Sequence, residues 1–187
     1  YLPNVGVLSG IEYFQEIDAL LRRPYSEFLT VANSMKFENQ IKLLRTFNVG
    51  YIVSFRELPE QGVRLIRRFP EYFSWLYRVD NTLPRVVIVA KASVEKDPAK
   101  TLQRLASPEF DPNTEVILTN AVTTQSFATL NAQAKITSYK NNRVTIQATT
   151  NESGILVLAD SYYPGWKAYV DGNETRLLKA NHFYRGV

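Results

Sequence analysis

The sequence predicts an α+β fold, with helices concentrated near the N-terminus and mostly antiparallel strands in the rest of the chain. Apolar residues near the start recur at three- and four-residue spacing, which is the period of a helix. Short apolar or alternating runs become denser after Leu83, and turn sequences such as Pro-Gly and Asp-Gly separate them. We therefore expect an α+β part over residues 1–81 and a β-sandwich-like part with one short helix over residues 82–187, both sharing one core.

Local start and stop signals define the helices. Ser9 and Glu12 form a capping box, which satisfies free amides in the first turn of a helix. Pro24 ends that helix and begins a second one, and Asp97 is an N-cap before Pro98 at the first helical position. The predicted helices cover residues 10–22, 25–31, 37–47 and 98–106.

The strands are predicted from composition and from the turns between them. A continuous apolar run at residues 155–159 is typical of a buried strand, and Pro164-Gly165 follows it with the residue types of a type II turn. Asp171-Gly172 then closes a second strand as a hairpin. The predicted strands cover residues 51–54, 63–69, 73–79, 83–90, 115–119, 134–139, 143–149, 155–159 and 166–170.

Composition and charge exclude several classes of protein. The 187 residues are 45% hydrophobic and 21% charged, which is typical of a folded domain. The net charge is only +4, and Arg64, Arg67 and Arg68 are the nearest approach to a basic stripe, so we expect no nucleic-acid partner. Cysteine is absent, which excludes disulfides and thiolate metal sites. Because the chain starts at Tyr1 without a methionine, we interpret it as a piece of a longer protein.

The titratable residues do not form a familiar catalytic motif. His182 is the only histidine, and we expect it at the surface or at a strand end. The acids Asp160, Asp171 and Glu174 are the only candidates for a carboxylate metal site, which we disfavour because Asp171 already has a role in a turn. There is no glycine-rich phosphate loop and no nucleophile elbow. We therefore expect neither a cofactor nor a catalytic residue.

Aromatic residues around the Pro-Gly turn are the candidate binding residues. Tyr162, Tyr163 and Trp166 could stack on a sugar or lie at a lipid headgroup layer, provided that they are exposed. The structural alternative is that Trp166 fills the end of the sandwich and one tyrosine packs across a strand. A second aromatic group is predicted to be mostly core, and its members are Tyr72, Phe73, Trp75 and Tyr77.

Residues 25–29, 43–53, 77–85 and 158–172 are four segments that, in the same order, resemble the bacterial YfhO-like family of polytopic membrane proteins. The most specific is LADSYYPGWKAYVDG at residues 158–172, which resembles the segment that marks the family. The others are YSEFL at residues 25–29, LLRTFNVGYIV at residues 43–53 and YRVDNTLPR at residues 77–85.

The resemblance implies a soluble domain on the extracytoplasmic face of the bacterial cytoplasmic membrane, attached to its own transmembrane helices. Family members are similar to GT-C glycosyltransferases, which take sugars from a lipid carrier and modify envelope polymers such as teichoic acids. The catalytic acid of that type lies in the membrane part, so we expect this chain to be non-catalytic and to position a glycan acceptor or cap the catalytic part. A stand-alone carbohydrate-binding β-sandwich and a purely structural docking domain remain alternatives.

Overall fold

A computed structural model describes residues 23–120 and 130–187, which form three α-helices and thirteen strands. The predicted α+β class is confirmed, whereas the predicted helix over residues 10–22 lies outside the described residues. The helices are α1 (Arg23–Asn33), α2 (Phe37–Thr46) and α3 (Pro98–Ala106). The strands are β1 (Tyr51–Ser54), β2 (Val63–Phe69), β3 (Ser74–Val79), β4 (Val86–Val89), β5 (Lys91–Val94), β6 (Glu115–Leu118), β7 (Ala132–Lys140), β8 (Arg143–Thr150), β9 (Ile155–Ser161), β10 (Ala168–Val170), β11 (Asn173–Thr175), β12 (Leu178–Ala180) and β13 (Tyr184–Gly186).

A six-stranded sheet organises the described part of the chain, with strand order β4-β9-β13-β12-β6-β5. Its neighbours are antiparallel except β5 and β6, which run parallel and are connected through α3. Strand β5 was not predicted from the sequence, and β4 begins at Val86 rather than at Leu83. The last strand, β13, lies in the middle of the sheet between β9 and β12.

The three helices contribute to one apolar core with the six-stranded sheet. Phe28 and Phe47 from the helical region pack with Tyr184 of the sheet, and the rings of Phe47 and Tyr184 meet edge to face at 5.3 Å. Asp97 caps α3 as predicted, because its Oδ1 accepts hydrogen bonds from the amides of Ala99 (2.8 Å) and Lys100 (3.1 Å). Residues before and after Leu83 thus belong to the same core cluster, while the division at residue 81 stays a prediction.

A second, three-stranded sheet has the order β1-β3-β2 and packs its inner face against α2. A short 3-10 helix, Pro70–Tyr72, connects β2 to β3 and ends at Phe73, whose φ of 46° is left-handed. Tyr77 is buried as predicted, and Trp75 is half-buried. The predicted core location is wrong for Tyr72 and Phe73, because this turn directs both rings into solvent.

Two β-hairpins complete the described structure. Strands β7 and β8 pair with each other, and β7 lies against β4. Strands β10 and β11 pair through the predicted Asp171-Gly172 turn, where both residues have positive φ. Strand β10 pairs with β11 in a two-stranded sheet that is separate from the sheet of β9. The Pro164-Gly165 turn has the predicted geometry, since Gly165 has a φ of 100°.

Candidate functional site

A buried ion cluster lies on the face of the six-stranded sheet that is opposite the helices. Ile155, Val157 and Ala159 of β9 belong to the helix-facing core, so Asp160 points to the other face by strand alternation. On β13, Tyr184 faces the helices. Arg185 is the next residue, and the register between β13 and β9 shifts between these two residues. The two strands therefore bring Asp160 and Arg185 together on one face.

Two arginines surround the Asp160 carboxylate, which is only 6% exposed. Arg85, just before β4, donates from Nε (3.2 Å) and Nη2 (2.6 Å) to Asp160 Oδ1. Arg185 donates from Nη2 to Oδ2, and its side chain is 9% exposed, against 27% for Arg85. Two guanidinium groups therefore share one carboxylate.

The hydroxyl of Tyr139 on β7 completes the cluster. It accepts from Arg85 Nη2 at 2.7 Å and donates toward Asp160 Oδ2 at 3.1 Å. The Arg85 guanidinium carbon also lies 4.5 Å from the centre of the Tyr139 ring. These contacts join the β7–β8 hairpin to β4, β9 and β13, so the cluster fixes the relative positions of four strands.

The pKa values at this site follow from burial. Burial lowers the pKa of Arg185, and the neighbouring Asp160 carboxylate opposes that shift. Burial raises the pKa of Tyr184 far above its usual value, and the Asp160 charge acts in the same direction. The Tyr184 hydroxyl therefore stays protonated and donates to the Phe47 carbonyl at 2.8 Å. Both oxygens of Asp160 accept hydrogen bonds from cationic donors.

Of the three aromatic candidates, Trp166 is the one that contacts the ion cluster. The Arg185 guanidinium carbon lies 4.1 Å from the centre of its ring, and the indole is half-buried. Tyr163 begins the Pro-Gly turn and is 59% exposed. The half-buried Tyr162 instead lines a cleft of about 210 Å³ whose lining includes neither Tyr163 nor Trp166. Tyr162 therefore lines a different surface from Tyr163 and Trp166, which lie at the turn.

Sequence reasoning did not identify Arg85, Arg185 or Tyr139 as site residues. One signal was present in the sequence. Asp160 directly follows a continuous apolar run that is typical of a buried strand, and a buried charge requires a partner. The partners are 75 and 25 residues away from Asp160, and no local pattern identifies them.

His182 lies at a strand end between β12 and β13, which is one of the two positions that the sequence predicted, and it is buried there. Its Nε2 donates to the Pro24 carbonyl at 2.7 Å and lies 3.8 Å from a carboxylate oxygen of Glu27. Burial lowers the pKa of His182, and the hydrogen bond to Pro24 opposes this shift. The imidazole thereby joins the turn before β13 to the start of α1.

The acids proposed for a metal site do not converge in the structure. Asp160 belongs to the ion cluster, Asp171 lies in its turn, and Glu174 pairs with Lys167 at 3.1 Å. Within residues 23–120 and 130–187, no three histidine, cysteine or acidic side chains meet in a way that could hold a metal ion. In the same two ranges, no helix is long and apolar enough to cross a membrane.

The fold and the site define an α+β domain in which an aromatic turn is attached to a buried arginine–carboxylate cluster. No family model, curated protein or solved structure matches this chain.

Proposed function

We propose that this chain is the extracytoplasmic domain of a bacterial, glycosyltransferase-like membrane protein that resembles the YfhO-like family. In this proposal the domain is non-catalytic and positions an envelope glycan, such as a teichoic acid, for a catalytic part in the membrane. The partners are its own transmembrane helices and the glycan. Four sequence segments, at residues 25–29, 43–53, 77–85 and 158–172, support this origin.

The contact between Trp166 and Arg185 is the observation that carries the binding role. A ring that is already held by a buried guanidinium loses little freedom when a ligand binds, which favours recognition. Tyr163 presents an exposed ring on the same turn, and aromatic rings with a polar group suit the apolar and hydroxyl faces of a sugar. Positive charge next to the turn, from Arg185 at the Trp166 ring, favours a glycan that carries phosphate over a neutral one.

Tryptophan fluorescence tests the binding role directly. Because Trp75 is the second tryptophan, a Trp75→Phe background leaves Trp166 as the reporter. We expect a saturable change when a teichoic acid is added and a weaker response to a neutral glucan. Tyr163→Ala should weaken the affinity about fivefold or more, which corresponds to the loss of roughly 1 kcal/mol of stacking.

Tyr169→Ala is the matched control, because Tyr169 is an equally exposed tyrosine on β10. The control should retain the affinity of the parent. If no envelope glycan produces a saturable response, the glycan-positioning role is wrong.

The membrane origin has a separate test in the coding sequence upstream of Tyr1. A series of transmembrane helices there would support the proposal. If none is encoded, the membrane assignment fails, and a glycan response would then support the stand-alone carbohydrate-binding module.

A structural docking role is the second candidate, and the half-buried state of Trp166 favours it. A ring that mainly covers Arg185 contributes stability, whether or not a glycan binds. Under that alternative, Trp166→Phe lowers the free energy of unfolding, and Tyr163→Ala has no effect on any glycan titration.

A further inference from the structure

The three-stranded sheet exposes a face that combines apolar residues with arginines, and we call this surface the outer face. Its cross-strand rows place Tyr51 beside Arg78 and Val53 beside Leu76. The next strand adds Arg64 opposite Arg78 and Arg67 opposite Leu76. Tyr51 and Val53 are both exposed, as are Phe55, which follows β1, and Ile66, at the bulge in β2. An exposed apolar surface of this kind marks an interaction site.

The turn between β2 and β3 presents two further aromatic rings. Phe73 is 79% exposed, and its left-handed φ of 46° is uncommon for a bulky residue. Tyr72 precedes it and is also exposed. Folding does not require either ring at this position, since neither belongs to a core cluster of the described residues.

The three strands contain charged residues of one sign only, of which Arg68 lies opposite Trp75 on the inner face. Strands β1, β2 and β3 contain the arginines 64, 67, 68 and 78 and no acidic residue. Two of the arginines have acidic partners in neighbouring loops, Arg64 with Asp80 (3.1 Å) and Arg68 with Glu57 (2.8 Å). Among the described residues, Arg67 and Arg78 have no ion-pair partner. The acidic Glu71 lies in the connecting turn and not on a strand.

We propose that the outer face and the Phe73 turn dock on an anionic lipid bilayer surface. Exposed aromatic rings are favoured at the headgroup layer, and arginines near such a surface are attracted to lipid phosphates. The apolar stems of the arginines can lie along the same interface while the guanidinium groups remain hydrated. A symmetric contact with a second copy of this chain is less favourable, because it would place arginine rows opposite arginine rows.

Vesicle co-sedimentation of the 187-residue chain tests this proposal. Vesicles of phosphatidylglycerol and phosphatidylcholine are compared with vesicles of phosphatidylcholine alone. We expect binding to the anionic vesicles, at least tenfold weaker binding to the neutral ones, and a loss of binding at high salt because the attraction is screened.

Two sets of variants separate the contributions. Tyr72→Ser with Phe73→Ser should weaken binding about tenfold through lost interfacial area, and Arg67→Gln with Arg78→Gln about twentyfold through lost charge. Tyr169→Ser and Arg143→Gln are controls, because they remove an exposed tyrosine and an exposed arginine elsewhere and should leave binding unchanged. Circular dichroism and thermal unfolding establish that each variant is folded.

The proposal is overturned if anionic vesicles do not bind at low salt, or if the controls weaken binding as much as the outer-face variants. It is also overturned if the chain self-associates through this face, which sedimentation would show as a dimer that Phe73→Ser dissociates. If the Phe73 variants do not fold, the arginine variants and the salt dependence still decide the question. Because Trp166 and Tyr163 are not changed in any of these experiments, this result is independent of the glycan titration.

Discussion

Replacement of Asp160 by asparagine should destabilise the protein strongly, because it removes the carboxylate that both guanidinium groups contact. Hydrogen bonds between charged groups contribute about 1.5–3 kcal/mol each when they are buried. The contact with Arg185 should contribute a free energy near the upper end of that range, because the Arg185 side chain is only 9% exposed. Solvent screens the contact with Arg85 more strongly, because the Arg85 side chain is 27% exposed. We therefore expect the free energy of unfolding to fall by about 3–4 kcal/mol, within the range for broken buried ion pairs.

Urea unfolding followed by far-UV circular dichroism measures this change, with Asp171→Asn as the control. Asp171 is exposed at a turn with a φ of 50°, which asparagine tolerates, so the control should stay within about 0.5 kcal/mol of the parent. A loss below about 1 kcal/mol for Asp160→Asn would refute the view that this cluster holds the strands together.

A double-mutant cycle makes the same test more specific. Asp160→Asn and Arg185→Gln remove opposite partners of one contact, so their effects should not add, and we expect a coupling energy of about 1–2 kcal/mol. Additive effects would mean that the Arg185 contact with Trp166, and not the ion pair, dominates the contribution of Arg185.

Two further predictions concern His182 and Gly165. Because burial lowers the pKa of His182, the unfolded chain binds a proton more readily than the folded one, so stability should fall as the pH decreases through about 6.5, by at most about 1.4 kcal/mol per pH unit. Asparagine tolerates the φ of 76° at this position, so His182→Asn should flatten the curve of urea midpoint against pH. A variant curve parallel to that of the parent would show that His182 does not cause the pH dependence. Gly165→Ala should cost about 1–2 kcal/mol in thermal or urea unfolding, because its φ is 100° while no atom lies within 4 Å of an added Cβ. Gly50→Ala meets equally open space at an ordinary φ, so an equal loss there would disprove the conformational explanation.

Local chemistry made much of the secondary structure predictable. Strands β1 and β2 and helix α3 have the bounds that composition, turn residues and the Asp97 cap indicated. The turns at Pro164-Gly165 and Asp171-Gly172 also have the positive φ values that their glycines permit. These features depend on residues within a few positions of each other, so the local sequence is enough to predict them.

Long-range packing decided the strand order and the candidate site. Strand β5 pairs in parallel with β6 because α3, between them, returns the chain to the same end of the sheet. Strand β13 lies at the centre of the sheet although it is the last strand in the sequence. Residue type alone identified Trp166 as a candidate. Nothing in the local sequence distinguishes Arg185 from a solvent-exposed arginine, because its position beside Asp160 depends on the pairing of β9 with β13. Alternation along a strand determines which face a side chain shares, whereas its neighbours on that face depend on which strands pair. The sequence by itself therefore determined the α+β class and the turns, and only the tertiary structure determined that Asp160, Arg85, Arg185 and Trp166 form one site.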